Sequence, residues 1–381
     1  MRSHVDRRRR GCLRVETKVA YMRVAFDEQI FAIQRHGGIS RVFAELAHEF
    51  VTHPELGVQL QPVAAPLVNE YVVRDPETAR ALDVWPARHW APCIARSLAR
   101  RRHRGPTDVV HNTFYLPRAL ADYPQAKRVV TIHDMIPEIY PETRRRLDFL
   151  TVKKRYVEQA DHVVCVSEST RDDMLRIYGP ISAPVSVIHS GVSTNFRPTP
   201  NRIPKWPERY ILHVGHRAGY KGGSTLFAAF AEVAQSDRNL YLALAGGGSI
   251  TPSEHRQLEQ LGISARTFQR QVLDGDMPKA YSNAEAFVFP SEYEGFGLPV
   301  LEAMACGCPT ILSTSSSLPE IGSDAAVYFK TGVPESLSEA ILRVLNDGEL
   351  AEKLRQRGQA RAETFTWLLS ATRLAEVYRS I

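Results

Sequence analysis

Short apolar runs alternate along most of this chain with stretches whose apolar positions recur every three or four residues. Unbroken apolar runs suit strands buried on both faces, and the longer period suits amphipathic helices laid over them. The alternation predicts α/β architecture with parallel sheets. Strands are expected at Arg23–Phe26, Val58–Val63, Asp108–His111, Arg128–His133, His162–Val166 and Ser186–His189. Helices are expected at about Ser40–Val51, Arg144–Ala160 and Glu168–Tyr178. The stretch Phe196–Pro207, with four prolines, breaks the pattern and reads as an interdomain linker. The alternation then restarts with strands at Tyr210–Val214, Leu240–Ala245, Ala286–Phe289, Thr310–Leu312 and Ala326–Phe329, and a helix from about Gly222. Helices Pro334–Asp347, Glu349–Glu363 and Thr366–Arg379 close the chain. Two doubly wound domains, 22–198 and 208–365, facing across a cleft, are the natural architecture for 381 residues.

Composition fits a soluble globular protein, with 44% hydrophobic and 9% aromatic residues. The net charge of +6 is misleading. Residues 1–21 hold seven basic and two acidic side chains, a net of +5, which leaves +1 for the remainder. Nucleic-acid binding is therefore not expected. The extension reads as a disordered arm, or as sequence preceding a natural start at Met22. No apolar core follows its arginines, so it is not a signal peptide, and no run is long enough to span a membrane. Five scattered cysteines (Cys12, Cys93, Cys165, Cys306 and Cys308) favour reduced thiols and a cytoplasmic setting. Cys306 and Cys308 read as small buried residues at a helix end rather than a metal pair. Arginines at 96, 100–102 and 104, and the cluster Arg144, Arg145, Arg146, Lys153 and Lys154, are expected on solvated faces. They would also serve a protein touching the anionic inner face of a membrane.

Candidate chemistry concentrates at turns that follow strands. Between Tyr293 and Pro309 the chain reads Y-E-G-F-G-L-P-V-L-E-A-M-A-C-G-C-P. Pro299 suits the first turn of a helix that stops at Gly307, so free amides at its positive end form an anion cradle behind Gly295, Phe296, Gly297 and Leu298. Glu294 and Glu302 bracket that cradle, where a carboxylate can accept two adjacent hydroxyls of a sugar. Taken singly, each glutamate serves equally well as an ordinary helix-terminus residue. Gly215-His216-Arg217-Ala218-Gly219-Tyr220-Lys221 follows a strand and opens a helix. There Arg217 offers a planar fork and Lys221 a point charge, a suitable pair for a diphosphate. Taken alone, this turn also reads as a solvated loop. His36-Gly37-Gly38-Ile39-Ser40-Arg41 allows close backbone approach, or is a plain glycine turn. His133 and Asp134 end a strand at the edge where open sheets place ligands, and His111 and Asn112 end another. Asp274-Gly275-Asp276 reads as a helix cap rather than a metal motif. Gly246-Gly247-Gly248 is expected on the same rim.

The span from Phe289 to Glu302 resembles the E-x7-E signature of family 4 glycosyltransferases, and Ser317-Leu318-Pro319-Glu320 resembles that family's next block. The resemblance runs from about Met22 to the C-terminus and implies the GT-B fold, whose last helix (366–381 here) crosses back to the first domain. By resemblance, Glu294 contacts the transferred sugar and Glu302 the nucleotide ribose. Arg217 and Lys221 bind the donor diphosphate, Gly37 and Gly38 close onto it, and Val272 lies by the base. His133 supports an oxocarbenium-like transition state, with Asp134, His111 and Asn112 toward the acceptor. The implied reaction is retaining and needs no metal or other cofactor. Because no carboxylate stands out as a nucleophile, front-side attack with the departing phosphate taking the acceptor proton is preferred. The G-G-I-S-R run is similar to that of O-antigen and exopolysaccharide mannosyltransferases. It points to GDP-mannose, ahead of UDP- or dTDP-sugars, and to a glycan or lipid-pyrophosphate-linked acceptor. Alternatives are a nucleotide-sugar epimerase, a phosphorolytic enzyme and a non-catalytic nucleotide-sugar-binding subunit.

Overall fold

The computed structural model describes residues 21–63, 66–86, 106–143 and 148–381. The N-terminal extension to residue 20, Cys12, Cys93 and the arginines at 96–104 and 144–146 lie outside the described residues.

Two six-stranded sheets form the scaffold, and every pairing in them is parallel. In the first, the strands run in the order Val58–Leu60, Met22–Phe26, Val109–Asn112, Lys127–Ile132, His162–Cys165, Val185–Val187. In the second the order is Thr267–Arg270, Tyr241–Ala245, Tyr210–Val214, Ala286–Phe289, Thr310–Ser313, Ala326–Phe329. Central strands such as Ala286–Phe289 and Thr310–Ser313 are buried throughout, because helices cover both faces, and that is why they read as unbroken apolar runs. Strand order reverses between Met22–Phe26 and Val109–Asn112 in one sheet and between Tyr210–Val214 and Ala286–Phe289 in the other. Crevices open at the carboxyl ends of strands at such reversals. The loops leaving these strands carry Gly38, His216 and Glu294. The adjacent strand Lys127–Ile132 delivers His133.

The helix Trp367–Ser380 leaves the second domain and packs into the first core. Its Trp367, Leu374 and Tyr378 join Phe43, Phe50 and Val24 in one apolar cluster. Arg379 adds a bond from its guanidinium to the Leu56 carbonyl at 3.2 Å. The proline-rich stretch after Phe196 lies on the second domain, with Phe196 buried in its core and the Thr199 amide 3.1 Å from Ser282 Oγ.

Several features differ from the sequence reading. The helix Pro252–Gln260 is additional to the expected elements, and Thr251 and Glu254 form a capping box at its start. The strand Thr267–Arg270 is also additional: it lies at the sheet edge, is only partly buried and carries no apolar run. Lys153 is not on a solvated face. It is 1% exposed, and its ammonium contacts the Asp134 carbonyl at 2.5 Å and the Glu138 carboxylate at 3.1 Å. Lys154 is half-exposed and pairs with Glu158. Among the described residues no helix is long and apolar enough to cross a membrane.

Candidate functional site

A cavity of about 350 Å³ lies between the two sheets, walled by the loops that leave their reversal points. Its second-domain wall is the turn from Glu294 to Pro299. Gly297 adopts φ +102°, a left-handed conformation that favours glycine, and releases the chain into the helix Leu298–Ala305. Gly297 supplies no side-chain cap, Pro299 has no N–H and the Val300 amide donates to the Gly297 carbonyl at 2.9 Å, so among the described residues no side chain caps the head of this helix. Ser317 Oγ lies 3.0 Å from the Glu294 carbonyl and 2.9 Å from that of Phe296, and ties these oxygens behind the turn. Across the cleft, Gly38 opens the helix Gly38–Thr52 and a Cβ there would touch Leu298 at 3.9 Å. Two helix N-termini, each a positive dipole end, thus face one space.

Gly295 joins the domains. Its carbonyl accepts from Ser167 Oγ at 2.6 Å and Thr170 Oγ1 at 3.1 Å, both on the first domain. A Cβ at this position would fall 1.7 Å from the His133 carbonyl oxygen, so only glycine fits.

Within the cavity Lys221 Nζ meets Glu294 Oε1 at 2.7 Å. Burial works against the Lys221 charge, but the Glu294 carboxylate and the Tyr220 hydroxyl outweigh it and hold the ammonium above its ordinary pKa. An ammonium has three protons, so this pairing leaves donors for a second anion. His133 is buried at the opposite wall. Burial lowers its pKa to about 4, with Asp134 opposing and Lys153 assisting, so the imidazole is neutral at pH 7. Among the described residues its Nε2 has no hydrogen-bond partner. Asp134 also lines the cavity, with Oδ1 accepting from the Ile136 amide at 3.0 Å.

The structure therefore gathers Gly38, His133, Asp134, Lys221, Glu294, Gly295, Phe296, Gly297 and Leu298 around one space. It does not gather the rest. Gly37 stands just outside, against the Gln34 side chain. Arg217 is turned into the protein, its side chain 2% exposed and its guanidinium on Glu254 and the carbonyls of Gly246, Gly248 and Ser249. His111 is fully buried, with Nδ1 2.6 Å from Tyr378 Oη and Nε2 2.8 Å from Thr131 Oγ1, so it is a core residue. Asn112 is buried between Asp27 and Arg128. Both end a strand whose side chains face the core, which sequence position alone does not reveal. Val272 packs at the edge of the second core. Asp276 caps no helix with its side chain but pairs with Lys279, and Asp274 reaches Arg41. Cys306 and Cys308 are both buried free thiols.

Glu302 is the other departure. It is buried, and neither oxygen is free: Arg41 Nη1 lies 2.5 Å from Oε1 and the Tyr281 hydroxyl donates to Oε2 at 2.9 Å. Arg41 belongs to the first domain, so the pair bridges the cleft. Its guanidinium sits 4.9 Å from the Tyr71 ring centre and 3.2 Å from Asp274. Burial raises the Glu302 pKa, opposed by Arg41 and Tyr281. The only sequence trace of Arg41 was its place in G-G-I-S-R; nothing there tied it to a residue in the other domain.

Residues 36–196 match the model of Glycosyltransferase Family 4, and residues 199–361 match that of Glycosyl transferases group 1. The O-antigen chain mannosyltransferase B of Escherichia coli is 30% identical over 70% of this chain and 72% of its own length. The MMP alpha-(1->4)-mannosyltransferase of Mycolicibacterium hassiacum is 28% identical over 89% of this chain and 92% of its own. Among solved structures, a sucrose-phosphate synthase from Thermosynechococcus elongatus superposes with a TM-score of 0.73 at 21% identity, covering 94% of this chain and 99% of that one. With its two parallel-sheet domains and the cleft between them, the chain belongs to the family 4 glycosyltransferases of GT-B fold.

Proposed function

We propose that the protein moves a hexose from a nucleotide sugar to a hydroxyl of a glycan or lipid-pyrophosphate-linked acceptor, with retention and without a metal ion, in cell-surface polysaccharide synthesis. GDP-mannose is the favoured donor, in keeping with the mannosyltransferase relatives. The observation that carries the reading is the Lys221–Glu294 pair beneath an uncapped helix N-terminus. That arrangement offers a cation and backbone amides to a departing diphosphate beside a carboxylate that can hold the sugar hydroxyls. Neutral His133 faces the same space and stabilises the sugar as positive charge develops. Glu302 takes the ribose once Arg41 yields one oxygen. The departing phosphate accepts the acceptor proton on the same face. Work at the cytoplasmic side, in peripheral contact with anionic lipid, completes the reading. Removing the basic residues at 96–104 and 144–146 then abolishes liposome binding.

The test is thermal stabilisation by a panel of GDP-, UDP- and dTDP-sugars. At a hundredfold excess over Kd a bound donor adds about 2.7 kcal/mol, a rise of several degrees. Absence of stabilisation by every member of the panel sinks the reading.

A further inference from the structure

His216 and Arg217 are neighbours on the turn after Tyr210–Val214, and their side chains go opposite ways. Arg217 Nε donates to Glu254 Oε1 at 2.7 Å, Nη1 to the Gly246 carbonyl at 3.3 Å, and Nη2 to the carbonyls of Gly248 and Ser249 at 3.2 Å. Every nitrogen of the guanidinium is spent inside the protein. The backbone holds it there. Gly223 N donates to the Arg217 carbonyl at 3.0 Å, and a Cβ on Gly223 would stand 2.4 Å from that oxygen, so the turn has no room to rotate. Turning Arg217 outward would take its donors from the carbonyls of Gly248 and Ser249 and leave Glu254 with the Thr251 amide and the Gly246 carbonyl with Gln269 Nε2 alone. These carbonyls belong to a turn in which Gly246, Gly247 and Gly248 all have positive φ, a conformation that needs an internal brace.

His216 has the complementary position. Its carbonyl is held from the interior by His213 Nε2 at 3.3 Å, while its side chain is exposed and lines the cavity with Lys221, Glu294 and Gly297. We propose that His216, rather than Arg217, joins Lys221 in binding the donor diphosphate, and that Arg217 is the internal brace of the Gly246–Ser249 turn. The assignment rests on the nucleotide-sugar reading. Chemically it needs one imidazole N–H, present in either tautomer, beside the Lys221 protons that Glu294 leaves unused.

The experiment titrates the full chain with GDP and with UDP by calorimetry and records the melting temperature without ligand. His216→Ala weakens the bound nucleotide by roughly tenfold, the value of one hydrogen bond to a charged group, and leaves the unliganded melting temperature unchanged. His216→Arg restores binding. Arg217→Ala lowers the unliganded melting temperature by several degrees, as expected when a braced turn loses its partner. Unchanged affinity in His216→Ala overturns the assignment and leaves the function standing. Weakened binding in Arg217→Ala with an unchanged melting temperature overturns it too. If the wild type binds neither nucleotide, the functional reading falls and takes this assignment with it.

Discussion

Replacing Arg41 with alanine leaves the Glu302 carboxylate buried with only Tyr281 as partner. Stability then depends on pH in a calculable way. The ordinary glutamate value is 4.5, and burial already raises Glu302 above it. Without Arg41 the group is driven further up and escapes its penalty by taking a proton. The cost of that proton is about 1.4 kcal/mol per pH unit above 4.5, so the charge penalty is capped near ~3.4 kcal/mol at pH 7. At pH 5.5 the cap falls to about 1.4 kcal/mol. The sign is that of a carboxylate with a raised folded pKa: stability is lost as pH climbs above the unfolded value. For domains of this size roughly 2–4 °C accompany each kcal/mol, so Arg41→Ala lowers the melting temperature by up to ~7–14 °C at pH 7 and ~3–6 °C at pH 5.5. The loss shrinks in Arg41→Ala/Glu302→Gln, where no charge remains to be buried. Thermal melts by circular dichroism at the two pH values give the answer. A loss that is the same at both pH values, or that persists in the double variant, refutes the reasoning.

Lys221→Ala removes the cavity's ammonium, and nucleoside diphosphate release from a cleaved donor should fall about 10²–10³-fold with the fold intact by circular dichroism. Gly295→Ala places a Cβ 1.7 Å from the His133 carbonyl oxygen, so the domains are pushed apart; a drop in melting temperature together with loss of donor stabilisation is expected, and normal values for both would contradict the contact. Tyr378→Phe takes one hydrogen bond from His111 and should cost about 1 kcal/mol, read as a few degrees in the melt. Burial depresses His111 to about 3 and both His133 and His213 to about 4, so all three stay neutral when folded. The unfolded chain takes up protons below pH 6.5 while the folded one does not, so the melting temperature should fall steadily from pH 6.5 toward pH 4, and a flat profile there would count against three buried neutral imidazoles.

The sheets were legible because strands buried on both faces leave unbroken apolar runs, as in Ala286–Phe289. The edge strand Thr267–Arg270 has no such run and leaves no apolar signal in the sequence. The cleft wall from Glu294 to Leu298 was legible because its glycines, proline and glutamates sit together in sequence. Arg41 against Glu302 was not, since the partners stand 261 residues apart and on different domains. Nor was the inward turn of Arg217. Its direction is decided by Glu254 and by carbonyls of a glycine turn, none of which neighbours it in sequence. His111 and Asn112 share a strand end with the cleft's architecture, but both faces of that strand are covered: His111 is held by Tyr378 and Thr131 and Asn112 by Asp27 and Arg128, partners far off in sequence that a motif does not show.

The last helix has a bearing on how the molecule is made. Trp367, Leu374 and Tyr378 close the first domain's core over Phe43 and Phe50, which the ribosome synthesises more than three hundred residues earlier. Until the final turn emerges, the leading half of the nascent chain presents that apolar surface uncovered, while the second domain can complete its own two cores behind it. Removing the helix Trp367–Ser380 therefore leaves the trailing domain largely whole and the leading one open.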